Sequence, residues 1–132
     1  MSDQIDKTVR LADDSSYANI FSFMGLPLSR DLDLAGLDAV VMGIPYDLGT
    51  SGRAGARSGP NGIRQASANL RWEEQRWPWA FCLNDRLQAI DYGDVQYSSG
   101  DSSDMLQQVE MHAARIVAAG KTLISLGGDH FV

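Results

Sequence analysis

Lys121-Thr-Leu-Ile-Ser-Leu-Gly-Gly-Asp-His-Phe-Val132 is a short apolar run that passes straight into Gly127-Gly128-Asp129-His130. A buried strand that opens into two glycines and then offers a carboxylate and an imidazole is one way to build a metal or catalytic site. Such a site needs more donors than this segment supplies, and other strands that end in the same way are where they would come from.

Two others do. Ala39-Val-Val-Met-Gly-Ile44 is almost continuously apolar, as expected for a parallel strand covered on both faces. Pro45, which has no N–H to give a ladder, ends it and leads into Tyr46-Asp47. Leu87 to Tyr92 forms another strand, running into Gly93-Asp94. Between these two, Ser58 or Gly59 can cap a helix with Pro60 at its first position, and Ile63, Ala66, Ser67 and Leu70 fall on one face. A second helix is predicted over about 103–119, capped by Asp101, Ser102 or Ser103. Its stripe is Leu106, Val109, Ala113, Ile116 and Val117, and Gly120 stops it. Strand, helix, strand, helix, strand is the order of a parallel α/β sheet with right-handed crossovers. Ligands of such sheets bind outside the carboxyl ends of the strands, where all three functional-looking ends would meet.

The 132 residues allow one domain at most, or part of one, with 38–132 forming the α/β unit and 1–37 an irregular N-terminal arm. A net charge of −6 argues against a general nucleic-acid binder, which shows a basic patch. It is compatible with a cationic small-molecule partner. No apolar run approaches the roughly 20 residues of a membrane span, and Met1 to Lys7 is polar, without a signal core. The single cysteine, Cys82, suits a reducing cytoplasm and reads as a small buried hydrophobe. Trp72, Trp77, Trp79 and Phe81 crowd around Pro78, and a core or subunit contact is their default explanation. His112, alone on a helix, reads as structural or surface rather than as a ligand.

Gly120-Lys121-Thr122 carries the last three letters of a phosphate loop. Arg115 stands where that motif needs glycine, and the tripeptide ends a helix instead of opening one. Arg53, Arg57 and Arg64 could hold an anion at a helix start, or pair with carboxylates. For Gly127-Gly128-Asp129-His130 local spacing leaves two readings open, a tight turn with a hydrogen-bonded histidine and a metal ligand. A divalent ion needs three or more donors, and Asp91 and Asp94 could contribute.

Gly43-Ile-Pro-Tyr-Asp47, Thr50-Ser-Gly-Arg-Ala-Gly-Ala-Arg57, Gly59-Pro60, Ile63-Arg64-Gln65, Asp91-Tyr-Gly-Asp94 and Gly127-Gly-Asp-His130 occur in this order. As an ordered set they resemble the ureohydrolase family of arginases and agmatinases, from about Phe21 onward, and Leu70 to Trp79 resembles its agmatinase branch. The resemblance implies a three-layer α/β arginase-like fold, present here only as its N-terminal βαβαβ part. It also implies a binuclear Mn2+ site and hydrolysis of agmatine to putrescine and urea by a metal-bridging hydroxide. It makes His130 a manganese ligand and Asp129 an orienting neighbour. The family's other ligands, from Asp-Ala-His-x-Asp and Asp-x-Asp strand ends, and its acid/base histidine do not occur in these residues. The expectation is therefore the N-terminal part of a cytoplasmic, homo-oligomeric enzyme. As an isolated chain it would be inactive, metal-poor and marginally stable, with an open sheet edge. A related guanidino-acid hydrolase such as guanidinobutyrase, a non-catalytic interaction module and an anion-binding α/β domain are the alternatives.

Overall fold

The structure is a computed structural model that describes residues 20–131 except Glu74 and Arg76. The polar stretch Met1 to Lys7 lies outside the described residues, as does Val132. Three parallel strands, β1 (Ala39–Ile44), β2 (Ala89–Asp94) and β3 (Thr122–Gly127), alternate with two helices, α1 (Gly59–Ser67) and α2 (Ser102–Ala118). The sheet order is β2-β1-β3. Ala39 pairs with Ala89 on one side and Thr122 on the other. The first strand in sequence is thus the central one, and all six of its residues are buried, as its unbroken apolar run predicts.

Because side chains alternate across a strand, β1 serves two layers. Val40, Met42 and Ile44 pack with Ile90 and Tyr92 against Met105 and Ile116 of α2. Met42, Met105 and Ile116 are fully buried, and each contributes on the order of 1.5–3 kcal/mol. The other face of the sheet meets α1, where Pro60, Arg64 and Ser67 are buried. Crossovers that leave β1 in one direction and return past it in the other place their helices on opposite faces, which gives three layers.

Residues 27–29 run along the outer edge of β2. Asp91 donates its N–H to the Pro27 carbonyl, and Ser29 donates to the Asp91 carbonyl, each at 3.0 Å. A bulge between Val41 and Met42 further breaks that side's register. Among the described residues, no helix is long and apolar enough to cross a membrane.

Both helices keep part of their predicted stripes, Ser67 on α1 and Val109 and Ile116 on α2, and depart from the rest. Ile63 is exposed, and α1 instead buries Arg64, because two carboxylates of β2 face it. On α2 Met105 and Ile116 are buried and Val109 is half-buried between them; Leu106 and Val117 sit one position off that line and are exposed. Ser58 makes no side-chain cap bond, so α1 rests on Pro60 in its first turn, whereas Asp101 caps α2 by accepting from the Ser103 and Asp104 N–H groups. The Trp cluster is not core: Trp77 is 95% exposed, and Trp72 and Trp79 are about half exposed. Cys82 is half-buried rather than buried.

Candidate functional site at the carboxyl ends of the strands

Register brings the three strand ends together. Gly43 pairs with Asp94, and Ile44 with Gly127, so the segments following β1, β2 and β3 leave the sheet at one edge. Two glycines make this possible through close backbone approach. A Cβ on Gly128 would collide with the Tyr46 carbonyl, and one on Gly59 would come within 2.8 Å of the Gly127 carbonyl. The N-terminus of α1 therefore abuts the end of β3, and the turn after β3 lies against the loop after β1.

Asp129 fastens that contact. Its N–H donates to the Tyr46 carbonyl at 2.8 Å. Its Oδ2 accepts from the Gly49 N–H at 2.8 Å and the Thr50 hydroxyl at 3.3 Å, and its Oδ1 accepts from the Phe131 N–H at 2.9 Å. The Asp129 carboxylate, expected to orient its neighbour His130, holds backbone of two loops on either side of that residue. His130 itself is exposed, between two residues whose N–H groups are both tied down.

The loop after β1 is fixed from within by Asp47. Its Oδ2 accepts from the Gly55 N–H at 2.8 Å, and its Oδ1 meets Arg57 at 2.8 Å through Nε and 2.6 Å through Nη2. The hydrogen bond from Arg57, with that from Gly55, holds the Asp47 carboxyl well below the usual carboxylate range, at about 2, and the pairing raises Arg57. This pair lines a crevice of about 300 Å³ between the loops after β1 and β2, with Leu48, Gln96 and Tyr97. The Tyr97 hydroxyl donates to the Pro45 carbonyl at 2.6 Å, and burial pushes its pKa up.

Asp91 and Asp94, the two carboxylates that could have completed a metal site, are committed elsewhere. Arg64 donates to Asp91 through Nε at 2.7 Å and Nη2 at 2.9 Å, and to Asp94 through Nη1 at 2.5 Å. Burial pushes the Asp91 carboxyl up, but bonds from Arg64, the Phe23 N–H and the Gly93 N–H outweigh it and hold it low. Gly43 is required here too, since a Cβ would strike the Asp94 carboxylate. Of the three arginines weighed for an anion, Arg57 and Arg64 thus pair with carboxylates. His112 has the structural role expected of it, with Nδ1 3.1 Å from the Tyr92 hydroxyl. Lys121 donates to the Leu37 carbonyl at 2.9 Å, at the start of a strand, as the failed phosphate-loop motif predicts. Among the described residues no group of three or more His, Cys, Asp or Glu is placed to hold a metal ion.

A parallel three-layer α/β unit whose loops converge at the strands' carboxyl ends is a frame shared by many families, and here the sequence identifies the family. The Arginase family profile matches residues 37–132, and the chain belongs to that family. It is 46% identical over 120 residues to an agmatinase of Photorhabdus laumondii, covering 91% of this chain and 39% of that protein. An agmatinase of Sodalis glossinidius is 49% identical with the same coverage. A crystal structure described as a hypothetical agmatinase from Burkholderia thailandensis superposes with a TM-score of 0.81 at 40% identity, over 89% of this chain and 36% of that one. Proclavaminate amidino hydrolase from Streptomyces clavuligerus gives 0.72 at 32% identity, over 88% and 38%. The chain thus spans about two fifths of the length of these relatives.

Proposed function

We propose that these residues are part of a guanidino hydrolase that cleaves agmatine to putrescine and urea at a binuclear manganese centre. In this reading His130 is one manganese ligand, and the enzyme is cytoplasmic and homo-oligomeric. The observation that carries it is the Gly128-Asp129-His130 turn, clamped by Asp129 to the loop after β1 at the carboxyl edge of the sheet. Similarity to agmatinases over nine tenths of the chain supports the substrate class.

When bound, manganese would supply a nucleophilic hydroxide near neutral pH. The donors among the described residues do not fit two ions. His130 is a single imidazole, and Asp91 and Asp94 are held by Arg64. What this chain's residues do is structural and orienting. Asp129 fixes the backbone on either side of His130, Asp47 with Arg57 stiffens the facing loop, and Arg64 holds the end of β2.

The test measures urea release from agmatine, and manganese by elemental analysis, on the purified 132-residue chain. The expected result is no urea and less than one manganese per chain. Robust turnover would overturn the assignment of the remaining donors to residues outside the described set. Similarity to an amidino hydrolase named for an acid substrate keeps a guanidino-acid hydrolase as the second reading. A panel of agmatine and guanidinobutyrate on a polypeptide of the relatives' length separates the two.

A further inference from the structure

The N-terminal segment straps the edge of β2, and α2 packs over the same strand. Residues 27–29 take up the Asp91 N–H and carbonyl, and Leu28 forms a parallel bridge with Asp91. One residue on, Arg30 donates through Nε to the Tyr92 carbonyl at 3.4 Å. Its guanidinium carbon lies 5.8 Å from the centre of the Tyr92 ring. Tyr92 is buried, and its ring meets the His112 ring edge-on at 5.6 Å. Its hydroxyl lies 3.1 Å from His112 Nδ1. Tyr92 is thus held by a cation on the strap and by an imidazole on α2. A polar cavity of about 440 Å³ opens onto this group, lined by Arg30, Asp94, Tyr97, Asp104 and His112. Its other polar side chains have partners of their own. Asp94, at the end of β2, is gripped by Arg64, and Asp104 on α2 accepts from the Ser98 N–H and the Gln108 amide. Tyr97, on the loop after β2, donates its hydroxyl to the Pro45 carbonyl.

We propose that Arg30, Tyr92 and His112 form a proton-operated clasp: charging His112 loosens residues 27–30 from β2 and bares the Asp91 N–H and carbonyl at that edge of the sheet. With Nδ1 unprotonated, the ring accepts the Tyr92 hydroxyl. A proton on Nδ1 removes that lone pair, so the hydroxyl must turn round and its own hydrogen loses its acceptor. The same proton adds a positive charge beside the ring that Arg30 covers. Burial lowers the His112 pKa, and Arg30 from the strap and Arg115 from α2 lower it further. The opened strap, which takes Arg30 away, therefore binds the proton more tightly than the closed one. Opening is favoured as pH falls below about 6.5, and the strap stays closed above it. The clasp is independent of the proposed hydrolase activity.

Amide exchange and histidine ring titration, both read by NMR on the 132-residue chain, test it. Between about pH 7.5 and about pH 5.5 the protection factors of the Ser29 and Asp91 amides should fall by about threefold or more. In His112→Asn, whose side-chain carbonyl still offers Tyr92 an acceptor but takes up no proton, they should stay constant over the same range. Coupling is reciprocal, so Arg30→Gln, a change at an exposed side chain, should raise the pKa of the His112 ring. A loss of protection in His112→Asn equal to that of the wild type overturns the proposal. So does a His112 titration that Arg30→Gln leaves in place. Protection of Ser29 equal to that of the β1 amides at every pH also overturns it, because the strap would then leave only when the whole fold opens.

Discussion

Arg64 grips Asp91 with both sides of its guanidinium, Nε to Oδ2 and Nη2 to Oδ1, in a site where both side chains are almost wholly removed from solvent. A buried arginine–carboxylate pair tolerates the loss of one partner badly, because the other charge is left unpaired in a poor dielectric. Arg64→Met should cost about 3–5 kcal/mol, a large share of the stability of any small domain. Arg64→Lys should recover only part of it, since a point charge cannot make the fork. Urea unfolding of the three proteins reads this, and a loss below about 1 kcal/mol for Arg64→Met would show that the pair does not hold β2 to α1.

Acid should unfold the protein in two stages. His112 has its folded pKa lowered by burial and by Arg30 and Arg115. The unfolded chain then takes the proton first, and stability declines as pH falls below about 6.5. Asp47 is depressed from 3.8 to about 2. Its contribution is complete above about pH 4 and is lost as pH falls toward 2. Melting temperatures across this range should show both limbs. Arg57→Met should flatten the lower limb, because the folded Asp47 carboxyl then titrates closer to its unfolded value, and should leave the upper one in place.

Glycine substitutions should separate by what their Cβ would meet. Gly128→Ala drives a methyl into the Tyr46 carbonyl and displaces the Asp129 N–H from it. A cost of at least about 1–3 kcal/mol is expected. Gly62, inside α1, faces open space, and Gly62→Ala should stabilise by about 0.5–1 kcal/mol. Thermal melts of the pair should move in opposite directions.

Asp129→Ala should free the loop after β1 while leaving the sheet intact. Amide exchange at Gly49 and Phe131 should accelerate, because each donates to that carboxylate. Amides of β1 should keep their protection. Unchanged exchange at Gly49 would mean that Asp47 and Arg57 alone fix the loop.

Removing the α2 cap should have a modest effect. Asp101→Ala leaves the Ser103 and Asp104 N–H groups without their acceptor and should cost about 1 kcal/mol.

The strands and the order of elements were legible because unbroken apolar runs and Gly or Pro punctuation report burial on both faces directly. The buried faces of the helices were not. Burial of Arg64 depends on Asp91 and Asp94, which lie 27 and 30 residues away, and no helical period encodes that partnership. The Asp129 clamp was hidden for the same reason. Its partners, Gly49 and Thr50, lie on a different loop, and only the β1–β3 register brings them within reach. One signal was available: a Gly-Gly pair ahead of Asp129 implies that another backbone passes close by.

Placing the earliest strand at the centre also governs how the molecule assembles in time. Ala39 meets one partner 50 residues later, at Ala89, and the other 83 residues later, at Thr122. During synthesis at about 5–20 residues per second, β1 is therefore made several seconds before β3 can flank it. Throughout that interval the most hydrophobic segment of the chain has at most one neighbour. Such non-local pairing is expected to make folding slow for a protein of this length, and to make the nascent chain a client for holding chaperones until β3 has emerged.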